Sequence, residues 1–293
     1  MKVFVITKKT LMIIAAAVIA LLAAAAVIIS VTVSKKPKDA PTAASVSVGS
    51  AKTGTVGKTG KGLLSSEDAY ETEVLAGRRK ELPVYSVERS DKLIALTIDA
   101  AWDDDKTPFI LETISRYGIK ATFFLCGFWT EAYPDQVRAI AEAGNAIGNH
   151  TMTHPHMTRI GDAEISGEIL TLNDKIEALT GKRPIVFRAP YGEYDDRVIA
   201  AVRSLGMEPI QWDIDTIDWK PDRSSQTILD SVLGKLHGGA IILCHNNGYK
   251  IEEYLPVLIE TALARGYTFV TVDELLLEGE TIIDVNGVQK SLG

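Results

Sequence analysis

The chain has 293 residues, enough for one large domain with appendages or two small domains. Its net charge of −7 is uneven: residues 1–91 carry 13 basic and 8 acidic residues, a net +5, which leaves −12 for the remainder. An acidic globular part excludes a nucleic-acid partner, because phosphate binding needs a basic surface.

In chain order, the first signal is "LMIIAAAVIALLAAAAVIISVTV", Leu11 to Val33, 23 residues without a charge. That is long enough to span a bilayer, and longer than the apolar core of a cleaved signal peptide. The expected organisation is a cytoplasmic tail at 1–9, a transmembrane anchor at 10–33 and a flexible linker at 34–91, much of it rich in Ser, Thr, Ala, Gly and Lys. Lysines flank the span equally, with Lys2, Lys8 and Lys9 before it and Lys35, Lys36 and Lys38 after it, so charge alone does not orient it.

From Lys92 the pattern alternates. "KLIALTID" reads as a buried strand, and "KTPFILETISRYG" as a helix with Thr107 as N-cap, Pro108 at its first position and Gly118 as terminator. "IKATFFLCG" is strand-like, "YPDQVRAIAEAG" is a helix, and Ile165, Ile169, Leu172, Ile176 and Leu179 make one helix face. "PIVFRAP", "PIQWDID", "GAIILCHN" and "YTFVTV" read as further strands, between helical stretches ending at Gly206, Gly238 and Gly266. This predicts an α/β fold with about seven parallel strands. No Gly-rich phosphate loop follows the first strand, so no nucleotide is expected and a (β/α) barrel is favoured over a nucleotide-binding open sheet. The tail at 277–293 has Asn286-Gly287 between alternating apolar residues, a possible hairpin. Cys126 and Cys244, both in apolar runs, are expected as buried free thiols.

Three of the five histidines fall in "NAIGNHTMTHPHM" at 145–157. If His150 and His154 flank a helical turn, their spacing of four brings both rings to one face, half of a zinc site. Asp99, the acids at 103–105, Arg188, Asp213, Asp215, Asp218 and His245 come at or after the ends of apolar runs, the face where barrels place their chemistry. Two histidines and a carboxylate can hold zinc with a position open for water, beside a carboxylate base and a histidine acid.

Residues 92–276 resemble the polysaccharide deacetylase (NodB-homology, carbohydrate esterase 4) family: "HTMTHP", "RAPYG", "DTIDW" and "LCH" match its motifs in family order. The resemblance implies an N-deacetylase acting on linear amide C–N bonds of a cell-wall glycan, above all peptidoglycan, with a divalent metal such as Zn2+. It implies Asp99 as base, Arg188 holding it, His245 as acid and Asp218 maintaining the charge of His245. It also implies His150 and His154 as metal ligands, the Tyr191 N–H at the oxyanion, and Trp219 and Leu243 as walls of the acetyl pocket. The first motif departs from the family: "TIDAAWDDD" has Ala100 where a second aspartate would ligate the metal. The A-A-W sequence is similar to membrane-anchored, sporulation-associated deacetylases of spore-forming bacteria. Asp105, or alternatively Asp104 or water, is expected to replace the lost ligand. With the apolar span as a single-pass anchor in the cell membrane, a cell-wall substrate implies an extracytoplasmic catalytic domain. Two alternatives stand beside this: a glycan-binding relic with weak catalysis, and a glycosidase using Asp213, Asp215 and Asp218.

Overall fold

The computed structural model describes residues 81–292. The strands are β1 (Ser86–Val87), β2 (Leu93–Ala100), β3 (Thr122–Leu125), β4 (Ala146–Asn149), β5 (Val186–Phe187), β6 (Glu208–Pro209), β7 (Ile214–Asp215), β8 (Ile241–His245), β9 (Thr268–Val270), β10 (Thr281–Ile283) and β11 (Val288–Ser291). The helices are α1 (Thr107–Arg116), α2 (Gly127–Ala132), α3 (Pro134–Glu142), α4 (Asp162–Thr180), α5 (Asp196–Ser204), α6 (Ser225–Leu233), α7 (Ile251–Ala264) and α8 (Val272–Leu275).

Seven parallel strands run β6-β5-β4-β3-β2-β8-β7 and curl into a half-barrel, with β9 also pairing to β2. Ala95 pairs with both Ile241 and Val270, and Thr97 with both Leu243 and Thr122. Hence β9 and β3 share one edge of β2 at successive heights, opposite β8.

The two-residue period of β2 sorts its side chains. Ile94, Leu96, Ile98 and Ala100 join the large apolar core that also takes residues of α1, α3, α4, α6 and α7. Ala95 belongs to a second cluster with Phe124, Val186, Ile210 and Ile241, and on the same face of the strand stand Thr97 and Asp99. A polar residue there is buried, and Asp99 has only the last turn of the strand to reach a cavity.

"PIQWDID" does not form the single strand its pattern predicts. Glu208–Pro209 pairs with β5 at one end of the sheet, and Ile214–Asp215 pairs with β8 at the other. Residues 210–213 therefore run across the open seam of the half-barrel. Residues 81–91, read from sequence as the end of the linker, also belong to the fold. Val84 bridges to Ile210 and Ser86 to Ala240, and β1 pairs with β11, which pairs antiparallel with β10. Val84 and Val87 are fully or almost fully buried, which gives this segment a reason to stay in place.

The expectation of a single-pass cell-membrane protein needs correction. Among the described residues no helix is long and apolar enough to cross a membrane, and the anchor at 10–33 lies outside them, as do the tail at 1–9 and most of the linker. Cys126 and Cys244 are buried and free as expected, and burial pushes the Cys126 thiol up to about 12.

Candidate active site

Asp99, Ala101, Trp102, His150, His154, Ala189, Tyr191, Gly192, Trp212, Asp215, Trp219, Leu243, His245 and Asn247 line one cavity of about 520 Å³. A larger groove of about 630 Å³, bordered by Arg138, Glu142, Lys182 and Arg183, contains none of the histidines.

Arg188, with no exposed surface, anchors the base side. Its Nη1 donates to Asp99 Oδ1 at 2.7 Å and to Thr97 Oγ1 at 2.9 Å, and its Nη2 donates to the Gln211 carbonyl at 2.9 Å. The guanidinium lies 4.1 Å from the Phe124 ring centre and 5.4 Å from that of Trp212, an aromatic lining that suits this weakly hydrated cation. Burial opposes the charge of Asp99, but Arg188 and the nearby His150 and His245 hold its carboxyl below the ordinary range.

His150 and His154 meet, but not on a helical turn. His150 follows β4, and Thr151 and His154 have left-handed backbones, φ 69° and 58°, which fold the loop back on itself. Buried Asn149 pins that loop by accepting from Thr151 N and donating to Ile169 O and Asn173 Oδ1, each at 2.8 Å. The two imidazole centres end 5.0 Å apart.

His150 Nδ1 is 2.9 Å from the Arg188 carbonyl. A carbonyl only accepts, so Nδ1 carries the hydrogen and Nε2 presents its lone pair to Asp99 Oδ2, 3.7 Å away. Burial, outweighing Asp99, keeps the His150 pKa low. Burial and then His150 push His154 down to about 4, and its buried Nδ1 has no partner among the described residues. Two neutral imidazoles beside a carboxylate kept free as a base give two of the donors that a divalent cation would need. The set is short by one ligand.

Asp105, expected in the last position, is not among the residues that line this cavity. The loop after β2 is held by Trp129 Nε1 on Asp103 O at 2.6 Å, by Asn246 Nδ2 on Trp102 O and Asp103 O, and by Lys106 Nζ on Gly248 O at 2.9 Å. Asp105 consequently lines a neighbouring depression with Asp103, Lys106, Trp219, Asn247 and Tyr249. Among the described residues no group of three His, Cys, Asp or Glu is arranged to hold a metal.

On the other wall, His245 Nδ1 is 2.7 Å from Asp218 Oδ1, and Tyr254 donates to Asp218 Oδ2 at 2.6 Å. Burial lowers the His245 pKa, but the bond and charge of Asp218 outweigh it and raise the value above that of a free histidine. Gly248 permits this approach, because a Cβ there would lie 2.2 Å from Asp218 Oδ2. Leu243 is 3% exposed, while Trp219 and Tyr191 are 54% and 57% exposed at the rim.

Asp213 turns away from the cavity to His237 and caps Ile241 N, and Asp218 has no exposed surface. Of the three glycosidase carboxylates only Asp215 lines the cavity, and it also accepts from Ile217 N at 2.7 Å. The pair that glycoside hydrolysis needs is absent from this trio.

Gln211 was not singled out in the sequence. Only 3% exposed, it takes a 2.7 Å bond from its N–H to Val84 O, gives its carbonyl to Arg188, and donates from Nε2 to Gly192 O at 3.1 Å. It thereby ties the seam segment to the Asp99 clamp and to the turn bearing Tyr191, whose φ of 60° is strained for a residue with a β-carbon. Its only sequence signal is a polar residue in an apolar run.

A parallel half-barrel with an arginine-clamped carboxylate and a carboxylate-backed histidine on one cavity has the equipment of a hydrolase. The model of the polysaccharide deacetylase family matches residues 86–210. The chain is 34% identical to the peptidoglycan-N-acetylglucosamine deacetylase of Bacillus cereus, over 62% of this chain and 67% of that one. It is also 34% identical to the peptidoglycan-N-acetylmuramic acid deacetylase PdaC of Bacillus subtilis, over 65% and 40%. Among solved structures, a family 4 carbohydrate esterase pseudoenzyme from Bacillus anthracis superposes with a TM-score of 0.64 at 33% identity, covering 68% and 70%. The chain belongs to the polysaccharide deacetylase family, and by class it is a polysaccharide N-deacetylase.

Proposed function

We propose that the protein removes N-acetyl groups from peptidoglycan, with Asp99 as base and His245 as acid. The observation that carries this reading is the Asp99 carboxylate, fixed through Oδ1 by Arg188 and leaving Oδ2 towards the lone pair of His150. The names of the Bacillus cereus and Bacillus subtilis relatives support the substrate class.

In this reading His150 and His154 would hold a divalent cation, which when bound would supply Lewis acidity. Asp99 Oδ2 takes the proton from the attacking water. Arg188 keeps the carboxylate ionised and oriented, and the Tyr191 N–H receives the developing oxyanion. His245, protonated with the help of Asp218, gives its proton to the departing amine nitrogen. Leu243 and Trp219 wall the acetyl methyl from water. The products are acetate and a free amino sugar.

The test is acetate release from purified peptidoglycan by the full chain, with zinc and after chelation. Zinc-dependent release supports the reading, and intact N-acetyl groups under both conditions overturn it. Two observations favour a second reading, a glycan-binding relic: Ala100 offers no ligand, and a structural relative is a pseudoenzyme. Peptidoglycan binding without acetate release would select it.

A further inference from the structure

Asp218 has no exposed surface, yet its carboxylate meets three donors. Oδ1 accepts from His245 Nδ1 at 2.7 Å, and Oδ2 accepts from the His245 N–H at 3.0 Å and from the Tyr254 phenol at 2.6 Å. The first two come from His245 itself. Tyr254 stands fully buried in the first turn of α7, and its bond is the shortest of the three. An ionised carboxylate only accepts, so the phenol donates. Burial, with the Cys244 thiol and Asp218 beside it, keeps that phenol protonated far above its ordinary range. The turn before Asp218 needs anchoring. Ile217 has a left-handed backbone, φ 53°, an outlier for a β-branched side chain. Asp215 Oδ1 holds one side of the turn through Ile217 N at 2.7 Å. The Tyr249 N–H on Asp218 O at 2.9 Å and the Tyr254 phenol hold the other.

We propose that Tyr254 is a positioning residue for the acid: its phenol aims Asp218 and tempers that carboxylate's grip on the His245 proton, so that His245 can give it up. The inference rests on the deacetylase reading above. A hydrogen bond donated to a carboxylate draws off part of its charge. Asp218 with its full charge would hold the His245 proton more tightly, which favours the protonated acid but slows the transfer. An acid works best when its affinity for the proton matches the working pH. Asp218 lifts that affinity against burial, and Tyr254 limits the lift.

The experiment is Tyr254→Phe in the full chain, which deletes one oxygen from a buried ring. The charged groups facing His245 are Asp218, Asp99 and Asp215, with His150 near by, and the variant alters none of them. The alkaline limb of kcat/KM against pH is expected to move up by about half a unit or more. On the plateau kcat is expected to fall by about threefold to tenfold with KM unchanged. The limb moves in the direction opposite to that expected of Asp218→Asn. A phenol that only steadied the turn would, when removed, loosen the Asp218–His245 bond and leave the limb in place or lower it; that result overturns the proposal. Titration of the His245 ring by NMR reads the same shift without turnover. With no acetate released, an upward shift in that titration supports Tyr254 while the deacetylase reading falls. An unmoved titration with acetate still released overturns Tyr254 alone. If Tyr254→Phe does not fold, a ring-fluorinated tyrosine in its place is a stronger donor of the same shape. It is expected to move the limb down, and an unmoved limb overturns the proposal.

Discussion

Arg188 Nη1 and Asp99 Oδ1 are 2.7 Å apart, with the arginine side chain fully buried and the aspartate 7% exposed. In a site this dry each charge is tolerable only because of the other. Arg188→Met should therefore destabilise the fold by about 3–5 kcal/mol, the usual cost of stranding one partner of a buried pair. Urea denaturation measures this. Since Arg188 lowers the Asp99 pKa, its removal raises it. A base works ionised, so the acidic limb of kcat/KM against pH should move to higher pH. A variant with unchanged limb and midpoint would mean that the pair neither supports the fold nor tunes the base.

Asp99→Asn keeps the shape of the side chain and removes the proton acceptor. Turnover should fall by about a hundredfold or more, within the range of a positioned base. Near wild-type acetate release would place the base elsewhere.

The acid side has the opposite sign. Asp218 raises the His245 pKa against burial, and an acid works protonated, so activity should decline as pH rises through that raised value. Asp218→Asn leaves burial opposed only by the lesser effects of Asp99 and Asp215, so the alkaline limb should shift to lower pH and activity at pH 8 should suffer more than at pH 6. An alkaline limb that stays in place would separate His245 from proton donation.

For metal binding, His150→Ala and His154→Ala should each abolish stoichiometric zinc, as measured by metal analysis after dialysis. Asp105→Ala should retain it, because the anchored loop carries Asp105 into the neighbouring depression. Loss of zinc in Asp105→Ala would show that the loop rearranges around the ion.

Gln211→Leu removes the bond to Gly192 O and leaves the strained Tyr191 turn unsupported. The expected result is a fall in kcat of about tenfold with KM little changed, as for an interaction felt mainly in the transition state. A KM effect alone would assign the amide to substrate binding.

The sequence by itself determined the alternation of strands and helices, the buried strand that ends in Asp99, and the family to which the chain belongs. These follow from local periodicity and from residues close in sequence. Only the tertiary structure decided the fate of "PIQWDID", since an apolar run has the same pattern whether it pairs along its length or splits between the two ends of a sheet. The split puts Gln211 across the seam, where it meets Arg188, Gly192 and, from much earlier in the chain, Val84. It likewise placed Asp105 along the neighbouring depression and not along the cavity of the histidines. Three consecutive acids look equivalent in sequence, but hydrogen bonds from Trp129, Asn246 and Lys106 fix where their loop runs. The histidine spacing of four was legible, but its helical rationale was not the operative one. Two left-handed residues, held by the buried side chain of Asn149, bring the rings together, and such backbone turns depend on contacts that no short stretch of sequence contains.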